Sequence, residues 1–193
     1  LQIIDTNPVR GAFRLPECSR EKGIFTSTEI ESLARSEWFD IRAKEAFRLA
    51  AVAGLRLGEV RALRIEDIQE NRLVIRHSYS KTSGLKCPKN RRSRIVTLPA
   101  ELATSLRGLA AGNTHGDGYV FWSNRPGIPM GDRAICEGLY TTMRAIGIDE
   151  TSRRERRLSF HSLRHWTNAS LRGSISDEKL RMLIGHMDPR MTE

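Results

Sequence analysis

The chain is poor in cysteine. Its three cysteines, Cys18, Cys87 and Cys136, are odd in number and none belongs to a CxxC pair. That excludes a disulfide framework and the ligand spacing of a structural zinc site, and it fits a reducing cytoplasm. Long apolar runs are also missing, whereas a bilayer span needs roughly 20 such residues. Leu1-Gln2-Ile3-Ile4 gives way at once to Asp5, unlike a signal peptide. No initiating Met is present, so the expectation is a fragment of a longer protein. There is no internal repeat and no low-complexity tract. Acidic residues are in deficit: 23 Asp+Glu against 32 Lys+Arg give a net charge of +9, with a pI near 10.1. A chain this basic attracts polyanions, nucleic acid first among them. A basic surface solvated for solubility is the plainer alternative to such a partner.

An apolar share of 39% and a charged share of 28% over 193 residues argue against disorder and provide for one packed domain, with or without a linker. Residues 1–24 hold Pro8, Gly11, Pro16 and Gly23 without periodicity, which predicts a linker or arm. Thr26-Ser27-Thr28-Glu29 matches a capping box, with Ile30 and Leu33 following at helical spacing. Residues 43–53 are strong helix formers stopped by Gly54, and a short helix is predicted over 58–64. Leu73-Val74-Ile75 and Ile95-Val96-Thr97-Leu98 read as short strands. The stretch between them carries Lys81, Lys86, Lys89, Arg91, Arg92 and Arg94 and reads as basic hairpin tips. Pro99 opens another helix at its favoured first position. Helices are predicted over 131–146, 161–172 and 177–184, the last capped by Ser176, and Arg153–Arg157 reads as a charged loop. The sum is a mainly α fold with a small antiparallel β-sheet, an α+β class.

Several patterns could carry chemistry. In His161-Ser162-Leu163-Arg164, residues i and i+3 share a helix face, which sets a titratable imidazole beside a guanidinium. Arginine binds two phosphate oxygens at once, and histidine moves protons near neutral pH. Taken alone, the pattern fits a polar surface helix better. His186 follows Gly185 at the end of an apolar helix, where a helix-end histidine is the plain alternative. Arg56, in Gly54-Leu55-Arg56-Leu57-Gly58-Glu59, could be a turn arginine paired with Glu59.

Together these residues resemble the tyrosine recombinase (phage integrase) family over about residues 25 to 193. Ala53-Gly54-Leu55-Arg56-Leu57-Gly58-Glu59 is similar to the family's TGLRxxE. Lys89-Asn90-Arg91-Arg92-Ser93-Arg94-Ile95-Val96-Thr97-Leu98 aligns without a gap to its β-hairpin lysine motif, with Thr97 in place of the usual proline. His161-Ser162-Leu163-Arg164-His165 matches HxLRH, and Ile184-Gly185-His186 matches LGH. The resemblance implies a catalytic domain over 25–193 and a DNA breaking-rejoining core fold. It also implies transesterification at a phosphodiester through a 3′-phosphotyrosine.

In that reading Arg56 and Arg164 hold the phosphate, and His161 serves as general base. Lys89 is the general acid, with Lys81 and Lys86 as rivals for that role. His186 hydrogen-bonds a non-bridging oxygen, and Glu59 orients Arg56 or His161. Lys86, Arg91, Arg92 and Arg94 are expected to contact DNA, and the 153–157 run either contacts DNA or is solvated. Neither metal nor other cofactor is required. The family's nucleophilic tyrosine falls just past Glu193, while Tyr79, Tyr119 and Tyr140 stand in the wrong context. The fragment is therefore expected to bind double-stranded DNA without cleaving it. Further implications are a missing upstream core-binding domain, a monomer in solution, a tetramer on DNA, no membrane association and a cytoplasmic, nucleoid-associated location. Two rivals remain. One is a non-catalytic DNA-binding protein derived from an integrase. The other is a metal-dependent hydrolase using His161, His165 and His186, which lacks an HExxH carboxylate and sets Arg164 against a cation.

Overall fold

Helix α2 (Ile41–Ala53) is the element around which the rest is packed. Asp40 caps it by accepting from the Arg42 N–H. Ala43, Ala46, Leu49, Ala50 and Ala53 are all fully buried. The small side chains of the four alanines let α4 (Ala100–Ala111), α5 (Asp132–Ala145) and α7 (Phe160–Leu171) approach closely. Thr167 of α7 donates its hydroxyl to the Ala51 carbonyl of α2 at 2.9 Å. The computed structural model describes residues 23–87, 93–174, 176 and 178–180.

Before α2 comes α1 (Ser27–Arg35), whose Thr26–Glu29 capping box forms as predicted. After it come α3 (Leu57–Arg61), a 3-10 turn at Ile65–Asp67, and the strands β1 (Ile68–Gln69), β2 (Arg72–Ile75), β3 (Ser78–Ser80), β4 (Gly84–Lys86) and β5 (Arg94–Thr97). Strands β1, β2 and β5 form one antiparallel sheet, with Leu73 opposite Val96 and Val74 opposite Ile95. The predicted strands therefore pair as expected. The polar stretch between them holds a second, two-stranded sheet, β3 with β4, which the sequence pattern did not announce.

A predicted loop is corrected. Residues Glu150–Glu155 form a helix, α6, capped by Asp149. Glu150 lies one turn before Arg153 and Arg154 and bonds both, at 2.7 and 2.6 Å, so the arginine run is tied down along a helical face. The short helix predicted over 58–64 runs over Leu57–Arg61 instead. Residues 178–180 are helical, and Ser176 Oγ accepts from the Lys179 N–H at 3.4 Å. The architecture is mainly helical with a small antiparallel sheet. No helix among the described residues is long and apolar enough to cross a membrane.

Candidate active site

Helix α2 closes on Gly54, whose φ of 61° lies in the left-handed region that glycine tolerates best. The reversal buries Leu55 and delivers Arg56 as the extended N-cap of α3. Glu59, the third residue of α3, reaches back. Its Oε2 accepts from the Arg56 backbone N–H at 3.0 Å, and its Oε1 accepts from Arg56 Nη1 at 3.1 Å. The RxxE spacing thus sets a carboxylate beside a guanidinium through helix-start geometry alone.

Strand β5 brings the second cation. Its alternation turns Arg94 and Val96 inward and Ile95 and Thr97 outward. Arg94 Nη2 donates to Glu59 Oε2 at 2.7 Å and Nη1 to Oε1 at 3.1 Å, a two-pronged grip that suits a planar fork. Glu59 is only 3% exposed. Burial by itself would raise its pKa. The hydrogen bonds and charge of Arg94, then the contacts of Arg56, override burial and hold the carboxyl below its ordinary value.

Arg164 arrives from α7 and is buried. Its Nη1 donates to the Gly54 carbonyl at 2.7 Å. Burial, and then the nearby charge of Arg56, push its pKa down to about 9, with Glu59 opposing and Arg94 adding to the fall. It still carries its charge at neutral pH. Arg56, Arg94 and Arg164 set three guanidiniums against the one carboxylate of Glu59, so two positive charges are in excess within this set. The Arg56 side chain keeps 30% of its surface exposed, so the excess can be met from solvent by an anion. A phosphodiester suits it, because it offers several oxygens to planar donors.

His161 lies one turn before Arg164 on α7. It is exposed while Arg164 is buried, and its ring stands edge-to-face on His165 with centroids 4.8 Å apart. Leu163 is fully buried and Trp166 packs against the core, as the helical spacing predicts. Lys86 ends β4 and Lys81 occupies the β3–β4 turn, both exposed. The hairpin rests directly on α3: a Cβ on Gly58 would lie 2.6 Å from Ser78 Oγ. Lys89, Arg91, Arg92 and His186 lie outside the described residues. The tyrosines have ordinary structural roles. Tyr79, Tyr119 and Tyr140 each carry an arginine over the ring, namely Arg61, Arg64 and Arg153.

The sequence reading grouped Arg94 with the DNA-contacting residues, but its side chain is turned inward onto Glu59. Strand alternation with Val96 was the available signal. Nothing local in the sequence pointed to the Gly54 carbonyl as the partner of Arg164.

A profile described as the phage integrase family matches residues 25–193. No curated protein matches the chain. Among solved structures, the Tn1549 transposon integrase in complex with a circular intermediate DNA superposes with a TM-score of 0.74. Identity is 17%, over 92% of this chain and 62% of that one. The XerA recombinase gives 0.67 at 22% identity, over 88% and 58%. Lambda integrase, as a dimer bound to a core site, gives 0.62 at 20% identity, over 97% and 66%. These likenesses are of fold, and the chain spans less than two thirds of each relative's length.

Proposed function

The chain belongs to the phage integrase family, and we propose that it serves site-specific DNA recombination, as in the integration or excision of a mobile element. The observation that carries this reading is the cluster of Arg56, Arg94 and Arg164 around Glu59, a preorganised cationic niche opening at Arg56. Double-stranded DNA is the partner. The full-length protein is a monomer in solution and a tetramer on DNA, acting in the cytoplasm at the nucleoid.

The reaction is a transesterification. A tyrosine oxygen attacks phosphorus, the bond to the 5′ oxygen breaks, and a 3′-phosphotyrosine forms. Negative charge grows on the non-bridging oxygens, where Arg56 and Arg164 stabilise it without reorganising. His186 donates a hydrogen bond to the same oxygens. His161 takes the tyrosine proton, and Lys89 gives one to the departing 5′ oxygen; the roles reverse on rejoining. Glu59 and Arg94 hold Arg56 in place. The phosphotyrosine retains the bond energy, so neither ATP nor a metal is needed. Tyr79, Tyr119 and Tyr140 each lie under an arginine, and none of them is assigned the attacking role.

The test is a chain extended through the codons after Glu193 and mixed with nicked suicide duplexes. The expected outcome is a denaturant-resistant protein–DNA adduct linked through tyrosine. Arg56→Ala or Arg164→Ala should slow its formation by roughly 10²–10³. Binding with no adduct from the extended chain would replace this reading with that of a DNA-binding protein derived from an integrase.

A further inference from the structure

A cavity of about 460 Å³ lies between α3, the β3–β4 hairpin and the approach to α5. Arg42, Arg61, Tyr79, Lys81, Arg125 and Asp132 are among its lining residues. Arg61 is 6% exposed. Its Nε donates to the Met130 carbonyl at 2.8 Å, and its guanidinium lies 4.9 Å over the Tyr79 ring. These contacts fix the guanidinium plane but do not neutralise it. Among the described residues no carboxylate pairs with Arg61, whereas Arg42 has Asp40 at 2.8 Å. A buried charge without a counter-ion is costly.

The plain reading makes Arg61 a strut between α3 and the segment before α5. A strut accounts for the Nε bond and the ring contact. It leaves unexplained why the same cavity also carries Lys81 and Arg125, both exposed, against Asp132 alone. Arg61, Lys81 and Arg125 against Asp132 leave two positive charges in excess.

The geometry points to a second phosphate site in this cavity, centred on Arg61 with Lys81 and Arg125, that takes a backbone phosphate of the bound DNA. It rests on the recombinase reading above. The cavity has room for a phosphate with its sugar. Such a contact sets the register of the strand and carries no base information.

The test is binding of the chain to labelled duplexes of unrelated sequence, titrated in KCl. Lys81→Gln and Arg125→Gln should each weaken binding equally on every duplex and reduce the slope of log K against log salt by about 1. Asp132→Asn should tighten binding. Arg61→Met should behave like Arg125→Gln, while Arg61→Lys retains most of the affinity. Should Arg61→Met fail to fold, the three surface variants still decide. Wild-type affinity and slope in all three surface variants would overturn the second site, even if Arg61→Met lost binding, because Arg61 would then be a strut. Failure of the wild-type chain to bind any duplex would instead overturn the recombinase reading, so the two failures are distinguishable.

Discussion

At the scale of single residues, Glu59 is the hinge of the site. One buried carboxylate holds two arginines that come from segments far apart in sequence. Removing Arg94 leaves Glu59 with Arg56 alone, and Arg94→Ala is expected to cost about 1.5–3 kcal/mol, the worth of hydrogen bonds to a charged group. The check is a lower urea midpoint at unchanged m-value. Arg94→Lys should recover only part of the loss, since an ammonium cannot hold both oxygens in a planar fork. The Glu59 carboxyl titrates below its ordinary value of 4.5 in the folded chain. The unfolded chain therefore binds the proton more readily. Its stabilisation is complete above that ordinary value and is lost as pH falls through the lower, folded one. Glu59→Gln should be less stable than wild type at neutral pH, and the gap should narrow in acid. A gap that stays constant from about pH 6 to about pH 3 would contradict this assignment.

At the scale of elements, the contact between α3 and β3 is the one that places the hairpin next to the site. Gly58 permits it, because a Cβ there would meet Ser78 Oγ at 2.6 Å and the Tyr79 carbonyl at 3.0 Å. Gly58→Ala should push the hairpin off α3 at a cost of about 1–3 kcal/mol. Calorimetry should show a melting point lower by roughly 2–4 °C for each kcal/mol lost. Much of the element order was legible in the sequence. Thr26–Glu29 is a local capping signal, α2 combines strong helix formers with a Gly54 stop, and the β2–β5 pair has β-branched residues in both strands. Strands β3 and β4 were not legible, because three residues each, rich in serine, glycine and lysine, offer no period to read. Helix α6 was hidden because five consecutive charged residues read as solvated loop unless the preceding Glu150 is counted as their partner. In the site, Arg56, Glu59, His161 and Arg164 were legible as motif positions. The contrast between buried Arg164 and exposed His161 was not, because it depends on how α7 seats against α2.

At the scale of the whole molecule, a net charge of +9 bears on binding more than on folding. Affinity for any duplex should fall linearly in log K as log salt rises, since phosphate contacts release condensed counterions. Fluorescence anisotropy between about 50 and 200 mM salt measures this, and a flat response would remove the electrostatic basis for DNA binding.

The crowding of Arg56, Arg94 and Arg164 around one carboxylate also reaches beyond recognition. Like charges held together oppose the native state, so an oxyanion that settles among them shifts the unfolding equilibrium by mass action. At a hundredfold excess over its dissociation constant such an ion adds about 2.7 kcal/mol. Sulfate or phosphate in a storage buffer would then act as a thermal protectant. A melting curve recorded in phosphate and another in a zwitterionic buffer would report on different species.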